Sequence, residues 1–163
     1  KGLSSELRGK TKFYLVGMED LDNPMAIPRK TLLGWKDDGI EWVGHQSDVK
    51  HWISISNIVV LPSYREGLPK VLIEALACGR AIVTTDVPGC REVIENGVNG
   101  VLVKLKDTDS LREGIELLLV DETKRSEFAL RNRSRAELYF DQKIVVRKTF
   151  DIYNSKLGLS FSI

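Results

Sequence analysis

Ser63-Tyr-Arg-Glu66-Gly67-Leu68-Pro69-Lys70-Val71-Leu72-Ile73-Glu74-Ala-Leu-Ala-Cys78-Gly79 is the stretch whose reading decides the fold. Just upstream, Asn57-Ile-Val-Val-Leu61 is a short, continuously apolar run, the pattern of a strand buried on both faces of a parallel sheet. Just downstream, Arg80-Ala-Ile-Val-Thr-Thr85 repeats that pattern. The residues between them predict a helix. Pro69 suits its first position, where a missing N–H costs nothing, and Gly79 suits the position just past its end, where left-handed backbone is wanted. The unit is therefore strand, loop, helix, strand.

In such a unit the loop 62–68 lies at the carboxyl end of a strand, where open α/β sheets bind ligands. The free N–H groups near Lys70 and Val71 carry roughly half a positive charge and attract phosphate. Glu66 falls in the loop, and Glu74 falls about a turn and a half beyond Pro69. Carboxylates are poor phosphate ligands but good acceptors for sugar hydroxyls. A phosphate-attracting helix end between two such acceptors suits a nucleotide-sugar. The plainer account is that Glu66 is a solvated loop residue. Lys70 and Glu74, four apart, would then be a solvated helix pair worth about 0.2–0.5 kcal/mol.

The ordered series of residues resembles one family. Glu66-Gly-Leu-Pro followed by Glu74 is similar to the paired-glutamate signature of retaining GT-B glycosyltransferases, the glycosyl transferases group 1 family. The likeness continues through Ala75-Leu-Ala-Cys-Gly-Arg-Ala-Ile-Val-Thr-Thr-Asp-Val-Pro-Gly-Cys-Arg-Glu-Val93 and Asn96-Gly-Val-Asn-Gly-Val-Leu-Val103. Upstream, Asp20-Leu-Asp-Asn-Pro-Met-Ala-Ile-Pro28 and Glu41-Trp-Val-Gly-His-Gln-Ser-Asp-Val49 look like the subgroup that builds lipid-linked bacterial surface polysaccharides. The resemblance covers roughly residues 10–155.

Composition narrows the rest. The chain has 163 residues, 42% of them hydrophobic, enough for one domain with a proper core. Its 24 Lys and Arg balance 23 Asp and Glu, a net charge of +1 that calls for no nucleic-acid partner. No apolar run approaches the roughly eighteen residues that span a bilayer, and the start of the chain lacks a signal-peptide pattern. Cys78 and Cys90 have no metal-ligand spacing and read as reduced thiols of a cytosolic protein.

Along the chain, residues 1–9 read as a short helical remnant and 12–17 as a buried strand ending in Gly17. Glu19, Asp20 and Asp22 in the loop 18–27 are read as solvated, not as metal ligands. A helix is expected from Pro28 to Asp38, ended by Gly39, then a strand over 40–44 and a helix over 48–56 capped by Ser47 or Asp48. His45 directly follows a strand's carboxyl end, on the ligand side of the sheet, while His51 lies inside the helix. After the strand 81–85 comes the turn Asp86-Val-Pro-Gly89, then a short helix around Cys90–Glu95. Gly89 either lines the crevice or is ordinary turn chemistry. Asn96-Gly97 and Asn99-Gly100 mark turns into a strand at 100–103. A helix from Asp107 presents Leu111, Ile115, Leu118 and Leu119 on one face. Helices over 122–139 and 141–156 end a single domain, 1–156, before a tail at 157–163. The first of these two is basic but interleaved with Glu, a solvated face; contact with an anionic membrane surface is the other account.

The fold expected is thus α/β, a Rossmann-like doubly wound parallel sheet. The resemblance makes it the carboxyl-terminal half of a GT-B fold. A sheet in the order 3-2-1-4-5-6 has an earlier strand at its centre. That first strand would precede residue 1, and Lys1-Gly2 would be the end of a basic motif aimed at the donor diphosphate. Without it, two ladder edges are left unpaired.

The resemblance also implies a function. The chain would be the donor half of a cytoplasmic enzyme, at the inner face of the membrane, moving a sugar with retention from a UDP-sugar to a lipid-linked or saccharide acceptor. An absent amino-terminal Rossmann-like domain would complete the cleft. The diphosphate would rest at Lys70 and Val71, Glu74 would accept ribose hydroxyls, and Glu66 would hold the transferred sugar. Gly67, Leu68, Pro69 and Gly89 would line the site, with His45 near the base. No metal or other cofactor is implied. A GT-B UDP-sugar epimerase and a non-catalytic nucleotide-binding module remain the alternatives.

Overall fold

The computed structural model describes residues 2–20, 22 and 26–158. Lys1, and with it the expected end of a basic motif, lies outside the described residues, as do part of the Asp20–Pro28 stretch and positions 159–163 of the expected tail. The elements run α1 (Ser5–Lys10), β1 (Phe13–Val16), α2 (Arg29–Gly34), β2 (Ile40–Gly44), α3 (Val49–Ile55), β3 (Ile58–Leu61) and α4 (Lys70–Ala77). They continue β4 (Ala81–Thr85), α5 (Pro88–Val93), β5 (Val101–Val103), α6 (Thr108–Val120), α7 (Glu122–Tyr139) and α8 (Gln142–Leu157).

All strand pairs are parallel, and among the described residues they form two sheets, β1-β2 and β3-β4-β5. This is the pattern left when the central strand is taken from a doubly wound sheet ordered 3-2-1-4-5-6. β1 and β3 face each other as unpaired edges. Between them lies a cavity of about 450 Å³, lined by Phe13 and Tyr14 on one side and Ile58 and Val60 on the other, with Ile115 and Leu119 of α6 at its floor. Val60, a β-branched strand residue, consequently stays 36% exposed.

The core straddles β4, whose five residues are all buried. One face packs Ile82 against Leu72, Ala75 and Leu76 of α4 and Val93 and Ile94 at the end of α5. The other packs Ala81 and Val83 against Leu118 of α6 and Phe128 of α7. Each Leu fully removed from water contributes about 1.5–3 kcal/mol. β4 is therefore the rigid reference for the loops at its carboxyl end.

Three boundaries differ from expectation. The helix expected over 28–38 is α-helical only to Gly34 and tightens to a 3-10 turn over Trp35–Asp38. A glycine inside the helix weakens it, and the chain closes through the Gly39 N–H donating to the Lys36 carbonyl at 2.9 Å. The segment 86–89 is not a free turn. Pro88 is the first residue of α5, where its fixed φ fits a helix start. At the other end α8 runs through Leu157, one residue past the expected domain limit.

A buried amide pair ties α7 to the sheet. Asn132 is fully buried, accepts from the Asn99 Nδ2 at 2.8 Å and donates its own Nδ2 to the Arg80 carbonyl at 2.7 Å. Asn99 in turn accepts from the Glu95 N–H at 2.7 Å. Asn132→Ala removes the side-chain donor to the Arg80 carbonyl and one of the two acceptors of the Asn99 Nδ2, which keeps the Val93 carbonyl at 3.3 Å, and is expected to cost about 2 kcal/mol, or roughly 6 °C in Tm for a domain of this size. Thermal denaturation measures it; a loss within about 0.5 kcal/mol would mean water replaces the amide.

Candidate functional site

The end of α4 is built by its neighbours in sequence. Pro69 is buried at the cap position, and the Leu72 N–H donates to its carbonyl at 3.0 Å, starting the helix ladder. Lys70 and Val71 precede that first bond, so their N–H groups project beyond the helix. Leu72, Ala75 and Leu76 anchor the inner face of the helix in the core. At the far end Gly79, with φ 59, closes the helix by donating to the Leu76 carbonyl at 2.9 Å.

Opposite that tip stands the loop after β2. A cavity of about 560 Å³ runs along the gap between the β1 and β3 edges, past Val16 and Val59, and at its carboxyl end reaches Gly17, His45 and Gln46 on one side and Lys70, Val71 and Glu74 on the other. Glu74 is 37% exposed and faces this space, while the Lys70 side chain is 89% exposed. The solvated pair read from the sequence is present as well: the Lys70 Nζ lies 3.5 Å from the Glu74 Oε1. At that exposure it is worth a few tenths of a kcal/mol and leaves the ammonium free to swing toward an anion.

The loop 62–68 is a second, adjoining cluster. Glu66 does not line the cavity with Glu74. The Thr84 hydroxyl donates to the Leu61 carbonyl at 2.8 Å, and the Thr85 hydroxyl donates to the Ser63 carbonyl. The exit of the loop lies directly on Gly89. A Cβ at that position would overlap the Gly67 carbonyl oxygen and sit 2.5 Å from the Glu66 carbonyl oxygen. Gly89 is thus a close-approach glycine, needed for space. Leu68 remains exposed, and Gly67 is exposed with it.

Cys90, fully buried beside this loop, lies within hydrogen-bond distance of the Thr84 hydroxyl oxygen at 3.1 Å. Burial raises its pKa above the ordinary thiol value, and the nearby Glu66 carboxylate adds to that rise, against the opposing Thr84 bond. Cys90 is therefore expected to stay a neutral thiol and resist iodoacetamide at pH 8 until the chain unfolds. Mass spectrometry of the alkylated chain checks this; ready labelling of native Cys90 would place the loop elsewhere.

Gln46, Thr84, Thr85 and Cys90 join the site without a local sequence signal that marks them. The two threonines carry no separate signal, because β-branched residues at a strand end are ordinary strand formers. Glu19 of the acidic loop pairs with Arg29 at 3.4 Å. Among the described residues no three His, Cys, Asp or Glu side chains gather in a metal-holding group, and no helix is long and apolar enough to cross a membrane.

Comparison with known proteins bears on this geometry. The model of the family "Glycosyl transferases group 1" matches residues 3–135. The chain is 36% identical over 148 residues to the N,N'-diacetylbacillosaminyl-diphospho-undecaprenol alpha-1,3-N-acetylgalactosaminyltransferase of Campylobacter jejuni, covering 91% of this chain and 38% of that protein. It is 33% identical over 146 residues to the capsular polysaccharide biosynthesis glycosyltransferase CapM of Staphylococcus aureus, covering 90% of this chain and 38% of the relative. The chain thus spans 38% of the length of these two curated relatives. Among solved structures, Anabaena HepE in complex with UDP superposes with a TM-score of 0.82 at 20% identity, over 90% of this chain and 41% of that one. WaaG, a glycosyltransferase involved in lipopolysaccharide biosynthesis, does so at 0.74 and 23%, over 92% and 40%. At these identities the two structures establish the fold alone.

Proposed function

Because this chain belongs to the glycosyl transferases group 1 family, we propose that it is the donor-binding half of a retaining glycosyltransferase that takes its sugar from a UDP-sugar and passes it to a lipid-linked or polysaccharide acceptor. The observation that carries this reading is the carboxyl end of the cavity between the two sheets, where His45, Lys70, Val71 and Glu74 come together. The donor diphosphate rests on the N–H groups of Lys70 and Val71, where the helix end supplies positive charge. Glu74 accepts the ribose hydroxyls, and His45 lies on the side of the base. From the adjoining loop Glu66 holds hydroxyls of the transferred sugar.

Charge decides how such a half-site contributes. As the glycosidic bond breaks, positive charge grows on the sugar and negative charge on the leaving diphosphate. The fixed helix end stabilises the leaving group without reorganising, the exposed Lys70 swings in to add its charge, and this requires no metal. Binding by UDP in a solved neighbour of the same fold supports the nucleotide. The acceptor class is supported by relatives acting on a diphospho-undecaprenol sugar and in capsule synthesis. A partner domain facing the cleft is supported by α8, which buries no residue and exposes Val145, Ile152, Tyr153 and Leu157. These side chains lend the same support to peripheral contact with a membrane, whereas Arg125, Arg131 and Arg133 of α7 are paired with Glu122, Glu127 and Glu137.

Calorimetric titration of the chain with UDP, UDP-glucose, UDP-N-acetylglucosamine and UDP-N-acetylgalactosamine tests the reading. UDP binds, and one of the three sugars binds about tenfold more tightly than UDP; Glu66→Ala removes that increment and leaves UDP itself unchanged. Failure of all four nucleotides to bind would sink the proposal. Product analysis with the full-length protein separates transfer, which yields a lengthened acceptor, from epimerisation of the free UDP-sugar.

A further inference from the structure

We propose that Lys106 is a positioning residue for the loop that carries Glu66: its ammonium, resting on the ring of Tyr64, holds that loop in place. The role in sugar binding rests on the reading of the donor site above; the contact itself does not.

Lys104-Leu-Lys-Asp107 joins β5 to α6 in a tight turn, closed by the Asp107 N–H donating to the Lys104 carbonyl at 3.4 Å. Lys106 is the third residue of that turn and has φ 58. Among the described residues it is the one non-glycine in the left-handed region. Glycine or asparagine takes this position at lower cost, because a side chain crowds the following carbonyl. An outlier of this kind points to something the side chain does.

What the side chain does is reach the neighbouring loop. The Lys106 Nζ lies 5.4 Å from the centroid of the Tyr64 ring, and Tyr64 is 68% exposed. An exposed contact of this type returns less than left-handed backbone costs a residue bearing a Cβ. Global stability therefore does not account for the turn. The loop offers a local reason. Its entry is gripped by Thr84 and Thr85, and its exit by Gly89 and buried Pro69. Tyr64 and Arg65, between those grips, are exposed, and Glu66 follows directly. The ammonium–ring contact supplies the side-chain anchor for that middle.

Limited trypsin digestion of the chain, with the cut after Arg65 followed by mass spectrometry, tests the contact. Lys106→Met and Tyr64→Leu should each speed that cut about three- to fivefold, and the double variant no more than either. Lys106→Arg and Tyr64→Phe, which keep a cation and a ring, should cleave at the wild-type rate. Lys106→Gly separates the clamp from the turn: it relieves the backbone and holds Tm, yet should still cleave fast. Wild-type cleavage in Lys106→Gly or Lys106→Met, or multiplying effects in the double variant, would overturn the clamp.

Titration then tests the positioning role. UDP affinity should stay constant in every variant, while the extra affinity of UDP-N-acetylgalactosamine, or of whichever of the three sugars binds best, falls in those that release the loop. An increment unchanged in Lys106→Met would overturn that role. Absence of UDP binding by the unaltered chain would instead sink the donor-site reading, with the cleavage rates still deciding the clamp.

Discussion

Gly89→Ala is expected to lower sugar transfer by the full-length enzyme about a hundredfold, the cost of misplacing a reacting group by roughly an ångström. The added methyl would overlap the Gly67 carbonyl oxygen and crowd that of Glu66, both main-chain atoms that cannot rotate away. β4 beneath is buried throughout, and α5 is fixed to it by its buried residues Gly89, Cys90 and Val93, so neither yields without opening the core. The loop must therefore lift, and Glu66 lifts with it. The same overpacking is expected to cost about 1–3 kcal/mol of stability. UDP affinity should change by less than about twofold, since Lys70, Val71 and Glu74 stand on a separate element. Initial rates, UDP titration and thermal melting on one preparation check all three. Transfer within threefold or so of wild type would show that Glu66 does not depend on this contact.

Much of this arrangement was legible in the chain, for identifiable reasons. The strands β3 and β4 are short apolar runs bounded by breakers, and α4 carries Pro69 and Gly79 at its two ends. Counting the strands was enough to expect an interrupted sheet, because a doubly wound order leaves one definite position empty. Other features depend on distance through space. Asn132 meets Asn99 across 33 residues, and no local pattern marks either as buried. The start of α5 was hidden because Asp-Val-Pro-Gly suits a turn as well as a helix entry. In the sequence Gly89 fits a crevice-lining or a turn glycine equally; that it seats the Glu66 and Gly67 carbonyls follows only from the packing of α5 under the loop. The left-handed backbone of Lys106 had no signal, since lysine is not a residue one expects there.

The two glutamates separate along the same line. Spacing alone put both around one helix tip. The structure puts Glu74 in the cavity with His45, and Glu66 in the adjoining loop seated on Gly89 and near Cys90. On the function proposed above, this division predicts different losses for the two carboxylates, nucleotide for one and sugar for the other.

Glu74→Ala is accordingly the second large effect. Its carboxylate, half-buried at the flank of α4, would be the acceptor for two neighbouring ribose hydroxyls, and its removal leaves both unpaired in the bound state. UDP affinity should fall about 10- to 100-fold, equivalent to roughly 1.4–2.7 kcal/mol. The stability of the chain should hardly change, because the Lys70–Glu74 pair is solvent-screened. Calorimetric titration of UDP into the unaltered chain and the Glu74→Ala variant, side by side at one salt concentration, is the most direct measurement. The account predicts binding by the first and a loss of at least tenfold or so in the second; equal UDP affinities in the two would contradict it.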